Sequence, residues 1–294
     1  MITLLNWFSH AFSPRSRNGE LSSIELCGWR SRWLGRLRSG PAALVMFGDV
    51  QNWGVEGRHR EEIKRRQNAE FLSGLRQQQG GSCRFLWGLA DGGDLVGASP
   101  ERLLAVRQGQ LRCDALAGTA SQQEPAEVLL HSSKDRHEHE LVVEAITQVL
   151  QHQGLSPQQP RHPRLASHGP LRHLHTPITA ALKSQHPLAL AEALHPTPAV
   201  AGLPRREAMA WLRSLEPFER GAYAAPIGWI DSAGDAELRV AIRSGVLRGS
   251  RLELTAGAGL VQGSVPEREL QEVALKLEVL QQQLSLSPAA GAVG

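Results

Sequence analysis

No apolar run in the chain approaches the roughly 20 residues that a membrane-crossing helix needs. The opening Met1–Phe12 is only mildly apolar, is broken by Asn6 and His10, and lacks the basic start of a secretory signal. Cysteine is scarce: Cys27, Cys83 and Cys113 are odd in number and scattered. That argues against a disulfide framework, and with no CxxC pair it argues against thiol redox chemistry. GxSxG, the P-loop, GxGxxG and HExxH are all missing, which disfavours a serine hydrolase, an NTPase, a dinucleotide enzyme and a zinc peptidase. The expectation is a protein of the reducing cytoplasm, with no membrane contact.

What is present is an ordinary globular composition. The 294 residues are 41% apolar and 21% charged, enough for one large domain or two small ones. The net charge of +3 is unevenly placed: residues 1–80 carry 12 basic and 7 acidic side chains, the remainder 20 and 22. The basic stretch reads as solvated arginines rather than a nucleic-acid surface. Within it only Ala42–Val50 has strand character, and Glu61–Arg76 reads as a polar helix.

Periodicity sharpens from Arg84 onward. Arg84–Ala90, a turn at Asp91–Asp94, Leu95–Ser99, Leu103–Arg107, a turn at Gln108-Gly109 and Gln110–Ala117 read as an antiparallel meander. Asp135–Gln153 reads as a helix with Val142, Ile146, Val149 and Leu150 on one face. Gly154–His175, rich in Pro and His, reads as a loop, and Pro204 opens a helix to about Leu215. A second meander follows, with strands Ala222–Asp231, Glu237–Leu247 and Leu252–Val261. A closing helix from Pro266 to Leu284 carries a stripe of Leu270, Val273, Leu277, Leu280 and Leu284, and the tail Ser285–Gly294 reads as frayed. Meanders followed by helices predict an α+β fold in which helices cover antiparallel sheets.

Four segments could carry chemistry. On the closing helix Glu269, Glu272 and Lys276 share a face. Helix statistics alone make that a solvated face, but the small-residue strand end Ala256–Gly259 before it would let a backbone approach a ligand closely. In Lys134–Glu140 (KDRHEHE), His137 and His139 point about 200° apart on a helix and cannot share a metal. A single inward carboxylate such as Glu138 would suit Mg2+, although periodicity alone makes it a capping or surface charge. The other two are Gly97–Arg102 (GASPER), followed by Leu116–Thr119 (LAGT), and the stiff loop Leu194–Pro204, whose His195 reads as a packed histidine.

Together these blocks resemble the chorismate-utilising enzymes, most closely the isochorismate synthases. The matching stretches are GASPERLL (Gly97–Leu104), LAGT, KDRHEHELV (Lys134–Val142), HLHTPI (His173–Ile178), LHPTPAVAGLP (Leu194–Pro204), EPFERGAY (Glu216–Tyr223), IGW (Ile227–Trp229), VAIRSG (Val240–Gly245), AGAGLV (Ala256–Val261) and the ExxExxxK of Glu269, Glu272 and Lys276. Their order and spacing agree from about Arg84 to Leu284. The resemblance implies two packed antiparallel sheets flanked by helices. It also implies conversion of chorismate to isochorismate, in which water adds at C2, the double bonds shift and the C4 hydroxyl leaves.

By the same resemblance Glu101 is the general acid, and Glu138, Glu269 and Glu272 hold Mg2+. Arg243 and Tyr223 take the enolpyruvyl carboxylate. Gly257 offers a backbone N–H, Lys276 a positive charge, and Thr119, His173 and Ala199 line the ring. The implied partition is a divergent or truncated segment over 1–80, a chorismate-binding domain over 81–285 and a tail over 286–294, acting as a monomer in menaquinone, phylloquinone or siderophore synthesis. The family's water-activating base is a lysine on a strand well upstream of the SPE glutamate. The four lysines here are Lys64, Lys134, Lys183 and Lys276, and none has that context. The alternatives are an ammonia-using anthranilate or aminodeoxychorismate synthase subunit and a non-catalytic chorismate-binding remnant.

Overall fold

The computed structural model describes residues 44–54 (backbone), 72–75, 81–216, 218–249 and 251–283. In chain order the elements are β1 (Leu44–Gly54), β2 (Cys83–Gly88), β3 (Asp94–Ser99), β4 (Arg102–Arg107), β5 (Gln110–Ser121), α1 (Ala126–His131), α2 (Ser133–His152), β6 (Arg164–His168), β7 (Leu171–Ala181), α3 (Pro187–Leu194), β8 (Gly202–Leu203), α4 (Arg205–Leu215), β9 (Pro226–Ile230), β10 (Ala236–Val240), β11 (Ser244–Arg248), β12 (Arg251–Leu260) and α5 (Pro266–Gln283). They build two six-stranded sheets, ordered β2-β3-β11-β12-β1-β8 and β6-β7-β5-β4-β10-β9. All strand pairings are antiparallel, so the α+β expectation holds.

Each sheet is covered by a helix whose apolar stripe is legible in the sequence. Under α2, Val142, Ile146 and Leu150 pack on Leu111, Cys113 and Ala115 of β5 and on Leu104, Ile178 and Leu238 from the neighbouring strands. Ser132 caps α2 by accepting a hydrogen bond from the Asp135 N–H. Under α5, Val273, Leu277 and Leu280 pack on Leu252, Leu254 and Ala256 of β12 and on Val96 and Leu247. Each such side chain contributes about 1.5–3 kcal/mol by leaving water.

Besides its excursion to β8, the chain changes sheet at one point inside each of the two stretches that the sequence shows as simple meanders. Between β3 and β4 the turn Ser99-Pro100-Glu101 carries it from the first sheet to the second. Between β10 and β11, Ala241-Ile242-Arg243 carries it back. The stretch Glu237–Leu247, expected as one strand, is therefore two strands in different sheets, joined through a left-handed Arg243 (φ 49°). The two crossings touch: the Ala98 N–H donates to the Arg243 carbonyl at 3.0 Å. A Cβ at Gly97 would lie 2.7 Å from that same carbonyl oxygen, so glycine is required where the crossings meet.

Gly154–His175, expected as a loop, contains β6 and the start of β7. The pairing of β7 with both β5 and β6 overrides local composition there. The short helices α1 and α3 are likewise not apparent in the periodicity. Most of the expected helix Glu61–Arg76, the tail Ser285–Gly294 and the opening Met1–Phe12 lie outside the described residues; one helical turn is described at 72–75. Among the described residues no helix is long and apolar enough to cross a membrane.

Candidate active site

The two sheet crossings, the bulged end of β5 and the first turns of α2 and α5 converge on one cavity. Glu101 enters it from the β3–β4 crossing, where it is 4% exposed. Its turn is locked from three sides. The Glu101 N–H donates to Ser99 Oγ, Ser99 Oγ donates to the Val240 carbonyl at 2.5 Å, and the Val240 N–H donates to the Glu101 carbonyl. Burial pushes the Glu101 carboxyl up to about 7, against the opposing Thr197 hydroxyl and the more distant Lys276 charge. Thr197 donates to Oε1 at 3.1 Å, which leaves Oε2 to carry the proton.

Arg243 arrives from the other crossing. It is fully buried, donates to the His168 carbonyl and to His173 Nε2, and forms no ion pair among the described residues. Burial lowers its pKa to about 10, with the more distant Glu272 carboxylate opposing. His173 Nδ1 lies 2.9 Å from the Gly118 carbonyl, so that nitrogen carries the hydrogen and Nε2 accepts from Arg243. Burial and the Arg243 charge hold His173 neutral, well below the usual histidine range. Gly118 itself sits at φ +69° in the bulge between Ala117 and Ala120. The bulge brings Thr119 onto Glu272, to whose Oε1 its hydroxyl donates at 2.9 Å.

The acidic side is assembled from two helices. Glu138 on α2 and Glu269 and Glu272 on α5 are all buried, although their surface-like spacing gave no sign of it. Two lysines are threaded among them. Lys134 Nζ lies 2.8 Å from Glu269 Oε1 and 3.2 Å from Glu138 Oε2, and Lys276 Nζ lies 2.6 Å from Glu272 Oε1 and 2.8 Å from the Gly257 carbonyl. Burial raises the Glu138 carboxyl, with the Lys134 charge opposing and the Glu272 charge adding to the rise. Glu272 is held below the usual range despite burial, chiefly by Lys276 and Lys134. Although burial works against it, Lys134 is pushed above the ordinary lysine range by Glu138, Glu272 and Glu269.

Ten of the eleven residues singled out in the sequence line this cavity: Glu101, Thr119, Glu138, His173, Ala199, Tyr223, Arg243, Gly257, Glu272 and Lys276. Glu269 stands behind it, joined through Lys134. Sequence reasoning missed Thr197 and Lys134 as site residues, because each touches its partner only through the fold or through burial of a helix face. The wall carrying Ala199 and Val200 is fixed by Arg220, which donates to the Val200 carbonyl at 2.5 Å and is paired with buried Glu216 at 2.6 Å. His195 is a packed neutral histidine: burial first, then Arg205 and Arg220, hold it down to about 3. The cavity is narrow, about 60 Å³, room for a few waters.

A family model described as chorismate binding enzyme matches residues 60–285. The chain belongs to the chorismate-binding enzyme family. It is 46% identical over 198 residues to a salicylate biosynthesis isochorismate synthase of Pseudomonas aeruginosa, covering 65% of this chain and 42% of that protein. It is 42% identical over 219 residues to the isochorismate synthase EntC of Escherichia coli, covering 71% and 56% respectively. The chain thus spans about half the length of the curated relatives it matches. Among solved structures it is similar to the 2,3-dihydroxybenzoate-specific isochorismate synthase DhbC of Bacillus anthracis (TM-score 0.81, 28% identity, 94% of this chain and 77% of that one). It is also similar to the menaquinone-specific isochorismate synthase MenF of E. coli (TM-score 0.77, 28% identity, 93% and 63%). The chorismate-binding family fold therefore accounts for both sheets and for the convergence of the crossings on the cavity.

Proposed function

We propose that the chain is an isochorismate synthase, converting chorismate to isochorismate with Mg2+. The observation that carries this is the pairing, in one cavity, of a buried glutamate whose carboxyl is pushed up to about 7 with a buried guanidinium that has no ion-pair partner among the described residues. Arg243 is pre-set for an anion: its planar fork takes a carboxylate in two parallel hydrogen bonds, and a substrate carboxylate supplies the charge that no described residue does. Tyr223, also in the cavity wall, would assist in holding that carboxylate. Glu101 holds its proton up to about 7 and donates it to the departing C4 hydroxyl as water adds at C2. Thr197, on Oε1, fixes the rotamer from which Oε2 delivers it.

The residues present suit the implied metal. Magnesium favours one or two carboxylates plus waters and substrate oxygens, and here three buried carboxylates come together, one of them, Glu269, with an Oε2 that makes no hydrogen bond. As they stand, no three acidic, histidine or cysteine side chains among the described residues are placed to hold a metal ion, and Lys134 lies between Glu138 and Glu269. Glu138 and Glu272 would hold the metal, with Glu269 contributing directly or through water. When bound, Mg2+ supplies a Lewis acid for the ring carboxylate. Thr119 and Lys276 keep Glu272 ionised and aimed.

The residue that takes the proton from the attacking water is the weak point of the set. β1, which pairs with β12 across the site with Gly48 opposite Gly257, contains no lysine. Lys134 and Lys276 are engaged with carboxylates, Lys183 is exposed, and Lys64 lies outside the described residues. Without a general base, turnover is expected about 10²–10⁴-fold below that of a complete site. This favours, as a second reading, a chain that binds chorismate without turning it over. Incubating the chain with chorismate and Mg2+, with and without ammonium, and identifying the products separates the cases. Slow isochorismate formation supports the proposal; an amino product assigns it to the ammonia-using branch; saturable binding with no product assigns it to the binding-only reading.

A further inference from the structure

We infer that Lys134 is an internal counter-cation that occupies the carboxylate cluster while it is free of metal, and that metal loading requires its ammonium to withdraw; this rests on the metal site proposed above. Lys134 and Glu138 stand four residues apart on α2, whereas Glu269 belongs to α5. The ammonium therefore bridges two helices as well as neutralising charge. The distances show what it holds. Nζ sits 2.8 Å from Glu269 Oε1 and 3.2 Å from Glu138 Oε2, whereas magnesium draws its oxygens in to about 2.0–2.1 Å. While Nζ holds one oxygen of Glu269 and one of Glu138 it stands where a cation bound to both would sit, and like charges at that distance repel strongly.

The way out is built in. Lys134 is 19% exposed, and 3.6 Å from Nζ lies Asp135 Oδ1, itself 19% exposed, an acceptor on the solvent side of the buried acids. Glu138, Glu269, Glu272 and Asp135 face Lys134 and Lys276, so carboxyl groups outnumber ammonium groups around the site. Glu269 Oε2, buried and without a hydrogen bond, is the oxygen that gains a partner.

The test needs no turnover. Mg2+ is titrated calorimetrically into the full chain, its Lys134→Met variant and its Lys134→Arg variant, all without chorismate. Removing the ammonium should tighten Mg2+ binding by at least about tenfold, lower the melting temperature of the metal-free protein and enlarge its rise on adding Mg2+; Lys134→Arg should stay near the parent. Binding that is unchanged or weaker in Lys134→Met overturns the inference, as does absence of binding in both chains. In case the methionine variant fails to fold, the parent chain is labelled with an amine-reactive reagent and mapped by mass spectrometry. Mg2+ should speed labelling at Lys134, and slower or unaltered labelling counts against exchange. Chorismate binding that depends on Arg243, measured separately without Mg2+, tells failure of this inference from failure of the functional proposal.

Discussion

Two side chains carry the proposed chemistry, and each makes its own prediction. Arg243 is buried with no ion-pair partner among the described residues, so Arg243→Ala should weaken chorismate binding by roughly 10²-fold, the worth of a lost charge-assisted pair. Calorimetry would show it, and unchanged affinity would remove Arg243 from the substrate site. Glu101 predicts a pH signature. Its carboxyl titrates at about 7 when folded, against 4.5 for an ordinary glutamate. The folded chain therefore keeps a proton that the unfolded chain has released, and stability falls as pH rises across that window, by about 3 kcal/mol at most. Glu101→Gln should abolish that fall in denaturant titrations at successive pH values and abolish turnover. In the parent, turnover should decline as pH passes about 7, because the acid has lost its proton.

At the scale of elements, a polar knot ties together the strands that carry the acid and the bulge. Asp114 on β5 accepts from Arg102 on β4 at 2.6 Å and from His175 on β7 at 2.9 Å. Burial pushes Asp114 upward, but the His175 hydrogen bond and the charges of Arg102 and Arg112 outweigh it and hold the carboxyl at about 2. The contribution, about 2 kcal/mol, is complete above the unfolded value near 4 and is lost as pH falls through 2. Asp114→Asn should be less stable than the parent at neutral pH and should lack that acid-limb loss, which denaturant midpoints at pH 2 to 6 would reveal. The elements divide cleanly by how they are specified. The stripes of α2 and α5 and the turns Asp91–Asp94 and Gln108-Gly109 are local patterns, and the structure buries Val142, Ile146, Leu150, Val273, Leu277 and Leu280 as expected, with Leu270 half-buried and Leu284 outside the described residues. β6 and β7 are strands because β5 offers an edge, and the β10–β11 break exists because two sheets need one chain; neither cause is local.

For the whole molecule, the decisive feature is that two of the chain's passages between its sheets, β3 to β4 and β10 to β11, touch one another. Glu101 and Arg243 stand at those crossings, 142 positions apart in the sequence. The acids come in from helices on opposite sheets, so the cavity forms only when both sheets and both helices are assembled. The expected slow turnover belongs to this scale as well. It follows from a strand, β1, that completes the sheet beside the cavity through its backbone while bringing no lysine.

The sequence by itself determined the α+β class, the two covering helices and, through ten ordered blocks, the family and the identity of the residues that meet in the cavity. Side-chain type and spacing are enough for that, because apolar periodicity and short motifs are written locally. Only the tertiary structure decided that Glu138, Glu269 and Glu272 are buried, that Glu101 keeps its proton, that Arg243 has no ion-pair partner among the described residues and that Lys134 sits among the acids. Burial, desolvation and the distance between charges on remote segments are properties of packing, and no run of adjacent residues encodes them.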